Sequence, residues 1–224
     1  MQSLSIKTTD KAQDAANFLA GSVIRQLLLK KRVLLFVTGG SSIAVAVEVA
    51  GLISAHPHQN LAVTLTDERY GPLNHPDSNW RQLLEKGFSL PEAKLLPILT
   101  GEGMEAENKK FSDALEEEFR SADYKVGLFG IGKDGHVAGI LPGSPAVLVA
   151  GWSAAYDAGK FERITITPET IVKLDEAVLF AEGEEKWPSI RDLAENDLDI
   201  SQEPAQILKK VPLLTIFTDY KLKE

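Results

Sequence analysis

Residues 126–138 carry the densest chemistry of the chain: Val126-Gly127-Leu128-Phe129-Gly130-Ile131-Gly132-Lys133-Asp134-Gly135-His136-Val137-Ala138. The opening apolar run is too continuous to alternate and reads as a buried strand. It stops at glycines, which permit backbone shapes that a side chain forbids. Beyond them stand an acid and an imidazole, Asp134 and His136. An unperturbed imidazole titrates near pH ~6.5, so it can take a proton and return it at neutral pH. Asp134 and Asp67 are both candidates to orient His136 and raise its basicity.

Other clusters stand where they can help. Thr38-Gly39-Gly40-Ser41-Ser42 joins an apolar strand over 33–37 to a helix over 43–54. Its glycines allow close backbone approach, and its hydroxyls and the free N–H groups of a helix start suit a phosphate. It is not a Walker loop, which ends in Gly-Lys-Ser/Thr, and it lacks the full dinucleotide fingerprint. Asp67-Glu68-Arg69 follows a second apolar strand over 61–65. A carboxylate there can act as a base or orient one, and Arg69 can meet an anion. Arg163 and Lys186 are further local cations. No metal site is read, because no second His or Cys stands at ligand spacing from His136. His56 and His58 flank Pro57 in what reads as an exposed turn.

Elements must hold these residues. Apolar spacing predicts a long amphipathic helix over 9–31, its basic end at Lys30 and Lys31 suiting the helix dipole. A helix capped by Asp77 or Ser78 follows the polar loop after Arg69. Further strands are expected at 95–99, 125–129, 163–166, 177–180 and 213–217, and helices at 104–120, 184–194 and 202–208. This alternation predicts an α/β fold: an open, mainly parallel sheet with helices on both faces, an α/β/α sandwich. Without repeat or linker, residues 1–224 are expected to form a single domain. Ligands of such sheets sit beyond the strands' carboxyl ends.

Composition narrows the function. The chain has 224 residues, 44% of them hydrophobic, enough for a sizeable core. No apolar run has the length of a membrane span, and the amino-terminal residues lack the order of a secretory signal. Absence of cysteine excludes disulfides, thiolate catalysis and cysteine metal sites. A cytoplasmic protein is expected, with no membrane partner. A net charge of -8 argues against nucleic acid. An anionic metabolite must then be met by local cations or helix amino termini.

Taken together, the segments resemble the 6-phosphogluconolactonase and glucosamine-6-phosphate deaminase family. The matching pieces, in the family's order, are Thr38-Gly39-Gly40-Ser41-Ser42, Thr66-Asp67-Glu68-Arg69 with Pro76-Asp77-Ser78-Asn79, residues 130–138, Leu141-Pro142-Gly143-Ser144-Pro145-Ala146, Arg163-Ile164-Thr165-Ile166-Thr167 and Gly183-Glu184-Glu185-Lys186. The resemblance implies a Rossmann-like sheet and a sugar-phosphate substrate. By position it implies that Gly40, Ser41, Ser42, Arg163 and Lys186 hold a phosphate. Asp67, Asp134 and His136 would line the reacting end of the sugar, and Arg69 and Asn79 would shape the pocket. The deaminase pattern resembles Asp-Gly-His-Ile-Ala-Phe-Asn-Glu-Pro-Gly, whose glutamate partners the histidine. Leu141 stands at that glutamate's place and cannot accept a proton. The likeness to Asp-Gly-His-x-Ala-Ser-Leu-Phe-Pro-Gly-Ser-Pro-Ala and the presence of Arg69 point to the lactonase branch.

That branch implies hydrolysis of 6-phospho-D-glucono-1,5-lactone to 6-phospho-D-gluconate, in the oxidative branch of the pentose phosphate pathway. His136 would be the general base, with no metal or redox cofactor, in a monomer or homodimer. The alternatives are the deaminase reaction and a non-catalytic sugar-phosphate sensor. The chain departs from the pattern at Gly139 (usually serine), at Ala44 (often proline), at Trp187 (commonly small) and in a short 142–163 segment.

Overall fold

The computed structural model describes residues 3–221. In chain order the elements are β1 (Ser3–Thr8), α1 (Ala12–Leu28), β2 (Val33–Val37), α2 (Ile43–Ser54), β3 (Leu61–Leu65), β4 (Asp67–Arg69), α3 (Asn79–Glu85) and β5 (Lys94–Leu96). Next come α4 (Met104–Ser121), β6 (Tyr124–Phe129), β7 (Ser153–Asp157), β8 (Glu162–Ile166), α5 (Pro168–Ile171), β9 (Glu176–Ala181), α6 (Trp187–Glu195) and β10 (Leu213–Thr218). No helix among the described residues is long and apolar enough to cross a membrane.

Seven strands form a parallel sheet in the order β1-β10-β9-β6-β2-β3-β5. Helices flank it on both sides, giving the expected α/β class. β2 and β3 are buried along their whole length, which is why their sequences read as continuous apolar runs. Phe36 of β2 meets Phe119 of α4 with ring centroids 6.0 Å apart. The chain leaves β2 toward β3 and β5, then returns to β6 on the other side of β2. The sheet therefore reverses its winding between β2 and β6, where a ligand crevice opens beyond the carboxyl ends.

The structure corrects several expectations. Residues 163–166 do not join the parallel sheet. β8 lies between β4 and β7 in a separate antiparallel sheet of three strands. α1 ends before Lys30, whose φ of 63° is left-handed and incompatible with a continuing helix. The 202–208 helix is a 3₁₀ stretch over Pro204–Lys210. β1, β4, β7 and α5 are elements beyond those expected. His58 is not in an exposed turn. It is buried, its Nδ1 lies 2.7 Å from the His56 carbonyl, and its Nε2 accepts the Glu92 N–H at 3.2 Å.

One buried carboxylate ties the small sheet to the helical layer. Strand alternation turns Asp67 and Arg69 to one side of β4 and Glu68 to the other. Glu68 is 0% exposed and accepts from Arg69 N (2.8 Å), Asn79 N (2.6 Å), Trp80 N (3.0 Å) and Ser78 Oγ (2.9 Å). Burial pushes its carboxyl pKa up, and these hydrogen bonds pull it partly back. Ser78 caps α3 as anticipated, accepting from Arg81 N at 3.1 Å. Glu68→Ala would orphan these donors. We expect a loss of about 3 kcal/mol, read as a lower urea midpoint; an unchanged midpoint would show that the α3 start holds without Glu68.

Candidate active site

Four neighbouring strands, β9, β6, β2 and β3, deliver their following loops to one edge of the sheet. There a cavity of ≈ 230 Å³ is lined by Thr38, Gly39, Gly40 and Ser41 from the loop after β2, and by Asp67 and Arg69 of β4. Asn79 of α3, residues of the loop after β6 that include His136, Arg163 of β8 and Lys186 complete the wall. Eight of the ten residues singled out in the sequence thus meet at one cavity: Gly40, Ser41, Asp67, Arg69, Asn79, His136, Arg163 and Lys186. Asp134 stands behind His136 rather than on the wall. Ser42 is fully buried and outside the cavity lining, its Oγ without a partner and turned toward Gly130.

The imidazole is held by its own loop. His136 Nδ1 lies 2.6 Å from Asp134 Oδ1, and the His136 N–H donates to the same oxygen at 3.3 Å. Gly132 N–H donates to the His136 carbonyl at 2.9 Å, closing the loop. Burial alone would raise the Asp134 pKa, but the facing His136 charge and these hydrogen bonds outweigh it and hold the carboxyl below its usual range. An ionised Asp134 fixes the proton on Nδ1 and leaves Nε2 as the basic nitrogen. Asp67 is otherwise engaged. Its Oδ2 accepts from Arg163 Nη1 at 2.9 Å, both side chains being largely buried. Of the two carboxylates considered for His136, Asp134 is the one in contact.

The loop after β2 runs as a 3₁₀ turn, Gly40–Ser42, into the amino terminus of α2. Gly40 has φ +65°, a conformation suited to glycine. Lys186 Nζ donates to Ser41 Oγ at 2.8 Å, bringing an ammonium group to the helix start. Asn79 Nδ2 donates to the Asp67 carbonyl at 2.9 Å, and its side chain lies against Gly39 so closely that a Cβ there would collide. Arg69 Nη1 donates to the Asp77 carbonyl at 3.0 Å.

The sequence departures acquire reasons. Trp187 does not line the cavity: its indole N–H donates to Asp219 Oδ1 at 2.9 Å, and its ring meets Tyr220 at 6.1 Å. Ala44 opens onto a neighbouring groove between α2 and α3. Gly139 packs against the small sheet, its N–H donating to Thr165 Oγ1 at 2.9 Å and its carbonyl accepting from Tyr156 Oη at 2.6 Å. Tyr156 carries no signal legible before the fold is known. It sits on a strand, β7, whose Ser-Ala-Ala-Tyr-Asp has little apolar pattern.

A parallel sheet wound both ways from β2, with cations, an imidazole and a helix start gathered at its switch point, defines an α/β protein with a cationic crevice at the sheet's carboxyl edge. Residues 7–215 match the model of the glucosamine-6-phosphate isomerases/6-phosphogluconolactonase family, and the chain belongs to that family. A relative from Caulobacter vibrioides named 6-phosphogluconolactonase is 28% identical over 210 residues, covering 88% of this chain and 87% of its own. One of the same name from Thermotoga maritima is 30% identical over 175 residues, covering 75% and 71%. The crystal structure of a 6-phosphogluconolactonase from Shewanella baltica superposes with a TM-score of 0.81 at 21% identity, over 96% of this chain and 98% of that one. This last likeness bears on the fold.

Gly139 offers a test of the packing. A Cβ at this position would lie 2.8 Å from Thr165 Cβ and 3.0 Å from Asp67 Cβ. Neither neighbour is a flexible chain end. Gly139→Ser is expected to cost about 1–3 kcal/mol in urea unfolding. A variant as stable as the parent would mean that the small sheet moves away from Gly139 freely.

Proposed function

We propose that this chain hydrolyses 6-phospho-D-glucono-1,5-lactone to 6-phospho-D-gluconate. The observation that carries the reading is the His136–Asp134 pair at a cavity that also holds Arg69, Arg163 and Lys186. With Nδ1 committed to Asp134, Nε2 of His136 takes a proton from water as the water oxygen attacks the lactone carbonyl carbon. The carbonyl π electrons move to oxygen, giving a tetrahedral oxyanion. Main-chain N–H groups of the glycine-bearing loops stabilise that charge; one well-placed donor is worth ~3–4 kcal/mol in acyl-transfer enzymes. The oxyanion collapses, the bond to the ring oxygen breaks, and His136 returns its proton to that oxygen. The product is the open-chain acid.

The distal phosphate rests on the Gly40–Ser42 turn at the start of α2, with Lys186 and Arg163 as counter-charges. Anchoring that end aligns the carbonyl with His136. Arg69 and Asn79 shape the wall between the two ends, and Asp67 acts through Arg163. The relatives' printed names support the lactonase reading. Leu141 disfavours the deaminase reading, since no carboxylate is supplied where that reaction needs one.

The decisive assay measures two releases side by side: acid from the phosphorylated lactone, corrected for spontaneous opening, and ammonia from glucosamine 6-phosphate. Acid release alone is expected; ammonia release alone would sink the proposal. His136→Ala should lower kcat by about 10²–10⁴-fold while calorimetry shows 6-phosphogluconate affinity nearly intact. Wild-type turnover in that variant would remove His136 as the base. Lys186→Ala should raise KM far more than it lowers kcat; an unchanged KM would take Lys186 out of the phosphate site.

A further inference from the structure

The turn joining β7 to β8 lies outside the cavity lining but leads directly to Arg163, which is part of it, and no role above uses the turn. It is tight: Ala158 N–H donates to the Phe161 carbonyl at 2.9 Å, and Gly159 has φ +83°. β8 then sets Arg163 directly opposite Arg69 of β4 in the antiparallel register. Like charges at such a pair repel. Asp67 compensates Arg163, whereas the Arg69 guanidinium donates to a neutral carbonyl, that of Asp77. The Nε–H of each arginine is buried without a partner.

One aromatic ring lies against both guanidinium groups. The Cζ atoms of Arg69 and Arg163 are 5.3 Å and 5.9 Å from the Phe161 centroid, and Lys160 Nζ is 5.0 Å away. All lie within the ~6 Å over which a ring quadrupole attracts a cation. We propose that Phe161 is a positioning residue for substrate recognition, its ring holding the opposed Arg69 and Arg163 guanidiniums together so that both face one anionic group in the cavity. The inference rests on the reading of this site as one for a phosphorylated sugar. An opposed pair of cations is an unfavourable choice for stability, and it becomes favourable when a multiply charged anion is bound beside it.

Phe161→Leu keeps apolar bulk and removes the π face; Phe161→Tyr keeps both. Kinetics with the phosphorylated lactone should show KM raised about tenfold by leucine, kcat within about twofold, and near-parent values for tyrosine. Binding of inorganic phosphate, measured by calorimetry, should weaken in Phe161→Leu by a similar factor. If neither KM nor phosphate affinity changes, the proposal is overturned. It is also overturned if kcat, KM and melting temperature all worsen together and tyrosine does not restore them, for the ring would then be mere packing. Weakened phosphate binding in a parent protein that lacks lactonase activity would instead discard the proposed reaction and leave the role of Phe161 standing. Should Phe161→Leu fail to fold, Phe161→Met carries the same comparison.

Discussion

Asp67 and Arg163 close a bridge that the rest of the site leans on. At Thr66 the chain steps from one sheet to the other: its N–H donates to the Val37 carbonyl, and its own carbonyl accepts from Ile166 N–H. One residue later the Asp67 carboxylate meets Arg163 across the small sheet. Both side chains are largely withdrawn from water, at 5% and 14% exposure. Such burial repays its desolvation cost only with good geometry and further hydrogen bonds. Here Thr66 Oγ1 adds a donor to Asp67, at 3.3 Å. The bridge fixes where a guanidinium enters the cavity. It also withdraws Asp67 from the competition for His136, leaving Asp134 to set the tautomer.

Much of this was legible in the residues, and the illegible part has a common cause. β2, β3, β6 and β9 are buried strands of a parallel sheet, so their apolar runs announced them, and the loops that follow carried the chemistry to the predicted edge. The small sheet left no such trace. β4 is Asp-Glu-Arg, three charged residues whose strand character comes only from pairing with β8. β1 is an edge strand with mostly exposed side chains, so no burial shaped its pattern. Pairing is a long-range property. Thus the residue type alone marks Arg163 as a cation but not as the partner of Asp67, and nothing in the residue pattern marks Phe161. Ser42 reads with its loop as a ligand hydroxyl, yet its side chain is buried outside the cavity lining, because sequence does not show which side of a turn faces inward.

Space is the second constraint. At Gly39, Gly132 and Gly139 a Cβ would strike Asn79, His136 and the Asp67–Thr165 wall respectively. These glycines serve by being small. They let one loop close on another, so the imidazole, the arginines and the helix start share a cavity of ≈ 230 Å³. The serine expected at 139 would have to be accommodated by widening the gap between Gly139 and the small sheet.

Charge distribution then decides how the proposed anionic substrate is met. The chain carries -8 overall, yet the cavity wall holds three cationic side chains and a single carboxylate, itself paired to Arg163. Beyond about 8 Å, physiological salt screens both the repulsive exterior and the attractive cleft. Attraction therefore acts at contact range, through desolvated groups, and depends on where each cation is held rather than on net charge. The proposed reaction uses the same asymmetry in reverse. Ring opening adds a carboxylate to the substrate, and in this proposal it forms at the end of the cavity nearest His136, behind which Asp134 stays ionised. The phosphate end is still held while the new acid end meets a like charge, so the electrostatics that favour entry of the lactone weaken the hold on its product.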